Sequence, residues 1–110
     1  MSWNEIKIPN IQGIEKVVAE FYVGCIAYMP NCQFRVKITQ DNYGNYSGRV
    51  NVAIKNFKNG SPEWVGGQGE SVDEALENSI NNFINSIKSS GRDLSNLTDE
   101  DFEWSAPEDF

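Results

Sequence analysis

Apolar residues recur along this chain in two rhythms, and each rhythm predicts a different element. In IQGIEKVVAEFYVGCIAYM, positions Ile14, Val17, Val18, Phe21, Cys25 and Ile26 fall three and four residues apart, on one helical face, with Glu15, Lys16 and Glu20 off it. That spacing predicts a helix over residues 13–28, closed by Pro30, although the β-formers of FYVGCIAYM leave a strand open for residues 21–29. The rhythm then changes to two. In QFRVKITQ, Phe34, Val36 and Ile38 alternate with Arg35, Lys37 and Thr39; in SGRVNVAIKNF, Val50, Val52 and Ile54 oppose Arg49, Asn51, Ala53 and Lys55. Alternation of this kind marks half-buried antiparallel strands. DNYGN between them has the turn chemistry of a hairpin, KNGSP marks a second turn, and PEWVGGQ reads as a short third strand.

A helical rhythm returns after the glycines of GGQGESVDEALENSINNF. Ser71 and Glu74 have the spacing of a capping box, and Asp73 and Glu74 suit the positive end of a helix dipole. Val72, Ala75, Leu76, Ile80, Phe83, Ile84 and Ile87 form one stripe for burial, and Gly91 of SSGRD supplies a C-terminal cap. The order α-β-β-β-α predicts a two-layer α+β domain, a three-stranded antiparallel meander with both helices packed on one face. It would occupy residues 11–91, between an N-terminal arm (1–10) and a C-terminal tail (92–110).

Composition narrows the chemistry. The 110 residues suffice for one modest core, and no run reaches the ~18 apolar residues of a membrane span. The first residues, MSWNEIKIPN, lack the pattern of a secretory signal, which points to the cytoplasm. Cys25 and Cys32 are the two cysteines, read as buried thiols of a reducing compartment, and their spacing fits neither a redox motif nor half a zinc site. Histidine is absent, which removes the commonest general base and every Ser-His or Cys-His pair. The carboxylates lie on a solvated helix start or in the tail, where no burial would lift a pKa. Neither an enzyme nor a bound cofactor or metal is expected.

Two resemblances emerge at the glycine-to-helix junction. GGQGESVDEALENSINNF after a meander is similar to the strand–glycine–helix junction of double-stranded-RNA-binding domains, with Gly67, Gly69, Ser71 and Ala75 in the corresponding places. Val72 and Asp73 stand where that family carries its phosphate-binding lysines. The chain also resembles HicB-type antitoxin domains: Asp41, Gly44 and Tyr46 fit their D-x-x-G-x-Y turn, and SVDEALEN fits the phrase that opens their helix. The leading helix expected here has no counterpart in that family. The first resemblance implies the α-β-β-β-α topology, the second an antitoxin-like role.

The glycines could also be a phosphate cradle at a helix N-terminus. Glu70, Asp73, Glu74 and Glu77 crowd that end and no lysine follows, so the reading preferred is a hinge from sheet to helix. Arg35, Lys37, Arg49 and Lys55 would line the exposed strand face, either for solubility or as a basic platform, and Tyr43 and Tyr46 flank the turn as packing partners or stacking surfaces.

Charge is unevenly spread. Of the net −7, residues 91–110 contribute −6, with seven acids against Arg92. In that tail Asp99, Glu100, Asp101 and Glu103 interleave with Phe102 and Trp104 before Phe110, the composition of a segment that docks by aromatic anchors. It could engage a protein partner, fold back on its own basic sheet face, or stay disordered. The function expected is a small non-catalytic cytosolic adaptor or regulator that engages a protein partner through this tail. Two alternatives stand beside it: an acidic, nucleic-acid-mimicking inhibitor of antitoxin-like type, and a weak nucleic-acid binder using the basic face. The net charge disfavours direct nucleic-acid binding. A free sheet edge allows a homodimer without demanding one.

Overall fold

A computed structural model of the chain describes residues 2–24 and 33–110. The elements are β1 (Lys16–Gly24), β2 (Gln33–Gln40), β3 (Tyr46–Val50), β4 (Val52–Lys55), β5 (Pro62–Glu63), β6 (Gly66–Gly69), α1 (Val72–Lys88) and β7 (Phe102–Trp104). They form two antiparallel sheets, ordered β1-β2-β3-β6 and β5-β4-β7. Among the described residues α1 is the sole α-helix.

The two-helix α-β-β-β-α arrangement is therefore corrected: residues 16–24 are an edge strand, not a helix. Three valines, a phenylalanine and a tyrosine in nine residues favour the pleated conformation. The misleading helical spacing has a cause. Between Val17 and Ala19 the register with β2 slips by a bulge, so the extra residue, Val18, breaks the period of two. Beyond the slip the alternation is regular, with Ala19, Phe21 and Val23 packed against the core and Glu20 and Tyr22 exposed. The rest of the expected helix, to residue 28, lies outside the described residues, as do Cys25 and Cys32.

The hairpin turn forms at DNYGN. The Asp41 carboxylate accepts from the amides of Tyr43 (2.8 Å) and Asn45 (3.0 Å), and Gly44 takes φ 87°. The Asn45 amide, ahead of that of Tyr43, holds the Asp41 carboxyl below its ordinary range. Tyr46 packs on the core and its hydroxyl pairs with Gln40 across the hairpin, while Tyr43 is exposed.

Residues 46–55 run as one chain through both sheets, and Asn51 is where it changes partners. Its amide donates to the Arg35 carbonyl (3.1 Å) and its side-chain Oδ1 accepts from the Arg35 amide (2.8 Å), so it closes the ladder with β2. Its own carbonyl accepts from the Ser105 amide at 2.8 Å, opening the pairing with the β7 segment. Removal of the Asn51 side chain leaves the partly buried Arg35 amide without this partner, at a cost of about 1 kcal/mol. Asn51→Ala should accordingly lower the urea midpoint without changing the slope; an unchanged midpoint would refute the clamp.

Helix α1 begins as the sequence indicates, with Ser71 Oγ accepting from the Glu74 amide at 3.1 Å. It covers β6, β3 and β2. Ala75, Phe83 and Ile87 are fully buried beside Phe34, Val36, Ile38, Val50, Val52 and Ile54, and Phe83 meets Phe34 with ring centroids 4.9 Å apart. GGQG is more than a hinge: it is β6 itself. Its inward positions, Gly67 and Gly69, lie directly beneath the helix backbone, where a Cβ would come within 2.5 Å of the Ser79 nitrogen and 2.6 Å of the Ala75 nitrogen. Ser79, buried under the same contact, satisfies its hydroxyl by donating to the Ala75 carbonyl at 2.7 Å.

Candidate functional site: a cleft on the outer sheet face

The face of the first sheet opposite α1 is assembled by strand parity. Inward Phe34, Val36 and Ile38 leave Arg35, Lys37 and Thr39 outward on β2, and inward Gly48 and Val50 leave Ser47 and Arg49 outward on β3. Register then sets Glu20, Lys37, Arg49 and Gly66 in one row across the four strands. Arg35, Lys37 and Arg49 thus come together as the alternation anticipates. Lys55 does not join them, because it lies on β4 beyond the Asn51 bend.

Above this face is a cleft of about 780 Å³. Lys37, Thr39, Ser47 and Arg49 contribute to its lining from the sheet, and Trp64, Glu103, Trp104 and Asp109 from flanking segments. Two tryptophans line it, on segments that flank β4. Ile54 pairs with Glu63 on one side and Phe102 on the other, and both neighbours run antiparallel to β4. Each chain therefore carries its tryptophan towards the Asn51 bend. Trp64 remains 48% exposed and Trp104 39%.

The tail residues are divided by this arrangement. Phe102 is 4% exposed and belongs to the core, while Glu103 and Trp104 continue β7 along the cleft. Asp99, Glu100 and Asp101 make a 3-10 turn outside the cleft. There Asp101 accepts from the Thr98 amide and bonds Arg92 at 2.8 Å; Arg92 also donates to the Lys55 carbonyl. Phe110 lies over the basic row, its ring centroid 4.6 Å from Lys37 Nζ and 5.4 Å from the Arg35 guanidinium carbon. Of the three tail geometries open to the sequence, the segment folds back on its own domain.

Two features of the cleft escaped sequence reasoning. Trp64 falls within the short strand pattern PEWVGGQ, where a large aromatic close to a pair of glycines is a visible signal. The placement of Trp104 in the cleft that Trp64 lines depends on β7 pairing with β4, which no local pattern encodes.

Asp41 and Asp93 are held below the usual carboxylate range by turn hydrogen bonds, Asp93 chiefly by the Ser95 hydroxyl, which is the wrong direction for a proton donor at neutral pH. Among the described residues no cluster of three or more potential ligands is placed to hold a metal ion, and no helix is long and apolar enough to cross a membrane. Comparison of the chain with protein-family models, curated proteins and solved structures finds no match.

Proposed function

We propose that the chain is a small non-catalytic interaction module that engages a protein partner through the Trp64–Trp104 cleft, with the acidic–aromatic segment serving as a folded wall of that cleft. The observation that carries this reading is the pair of half-exposed indoles converging on one concavity beside Lys37 and Arg49. Single exposed aromatics are ordinary on protein surfaces. Two tryptophans around a cleft with adjacent cations have the composition of an interface hot spot. The absence of histidine, the commonest general base, supports a role without catalysis.

The test compares recovery of cellular proteins by the full chain and by its Trp64→Ala variant. Trp64 lies outside the core, so its replacement should leave the melting temperature within a few degrees of the parent. A specific partner should be recovered by the parent and reduced by about tenfold or more in the variant, as expected for loss of a hot-spot tryptophan. Equal recovery by both proteins would overturn the assignment.

A further inference from the structure

The basic row at one end of the cleft already holds an occupant, and that occupant has a definite chemistry. The Phe110 ring lies across Lys37 and Arg35, Lys37 Nζ donates to the Phe110 main-chain oxygen, and Arg49 donates to the Asp109 carbonyl at 3.4 Å. Cations over an aromatic face are attracted by its quadrupole, and on an exposed surface each such contact is weak. Three cationic side chains therefore grip a phenyl group and the carbonyls beside it, next to the exposed carboxylates of Glu108 and Asp109. The grip begins beyond a firm anchor, since the Ser105 amide is bonded to the Asn51 carbonyl. The hydrogen bonds that seat β7 all lie before Ala106, so release of residues 106–110 would leave β7 paired.

We infer that this end of the cleft recognises an acidic protein segment with an aromatic side chain next to its carboxylates, and that residues 106–110 are its built-in competitor. The inference rests on the cleft being the partner surface. Charge favours a short peptide over a polyphosphate chain. Arg35 is already paired with Glu20 at 2.9 Å, so Lys37 and Arg49 match one or two carboxylates, whereas a longer run of phosphates would also meet Glu15 and Glu103 on the cleft walls. Tethering gives the internal segment an effective concentration on the order of millimolar. A partner's apparent affinity is lowered by the fraction of molecules in which the face is free.

The probe is a fluorescein-labelled peptide Ala-Pro-Glu-Asp-Phe with blocked ends, titrated by polarisation into the full-length chain and full-length variants. Phe110→Ala should bind it at least about tenfold more tightly than the parent, because the competitor has lost its ring. Adding Lys37→Ala should remove most of that gain, and so should changing the probe's Phe to Ala. Phe110→Ser serves in place of Phe110→Ala if the latter is poorly folded. Equal affinity of the parent and the Phe110 variant overturns the inference, as does a gain insensitive to Lys37. Stronger binding of the Phe110 variant to a ten-nucleotide thymidine strand than to the peptide also overturns it, and assigns the face to nucleic acid. If Trp64→Ala loses the cellular partner while the peptide titrations show no Phe110 effect, the cleft reading survives and only the competitor fails.

Discussion

Gly67→Val should be severely damaging, costing about 3 kcal/mol or more and leaving little folded protein at 37 °C. The reason is geometric. A Cβ at Gly67 would lie 2.5 Å from the Ser79 nitrogen and 2.7 Å from the Asn78 carbonyl carbon, both of them helix backbone. No flexible side chain can turn aside to make room, so α1 must lift from the sheet as a body. Lifting it withdraws Ala75, Phe83 and Ile87 from the core together. Gly24→Val is the control, because nothing lies within 4 Å of a Cβ built there. Urea unfolding of the two variants decides the matter: similar midpoints would refute the glycine seat.

Phe102→Ala is expected to follow closely, with a loss of about 3–5 kcal/mol, the usual range for emptying a buried aromatic site. Phe102 is 4% exposed and its strand supplies one of the two neighbours of β4. The calculation matters beyond its size, because a phenylalanine on a loosely attached tail would cost almost nothing to remove. Thermal denaturation should show a single transition displaced by more than ~10 °C, given a few degrees per kcal/mol for a domain of this length. A displacement of only a degree or two would mean that β7 does not contribute to the core.

The parts of the fold that were legible in the sequence are those governed by local rules. Ser71 capping a helix, DNYGN turning a hairpin and the alternation through Phe34–Ile38 all follow from contacts within a few residues, and each is present. The first strand mimics a helix because a bulge interrupts its alternation, and Val18 shifts the apolar positions into helical spacing. Lys55 was grouped with Arg35, Lys37 and Arg49 because its parity is correct, but parity holds only along an unbroken sheet and Asn51 ends that sheet. For the site, the basic row could be read from the strands, and the aromatic content of the tail was evident. What brings Trp104 to the cleft that Trp64 lines is a pairing between segments about fifty residues apart, and neither segment carries a mark of the other.

That pairing has a consequence for biogenesis. When Val52–Lys55 leaves the ribosome its eventual neighbour, Phe102–Trp104, has not been made. At about 5–20 residues per second, translation leaves one border of that apolar strand without its mate for some seconds. An unsatisfied border of this kind is a template for other nascent polypeptides. That border stays open even after the helix has covered the first sheet, until the closing strand arrives.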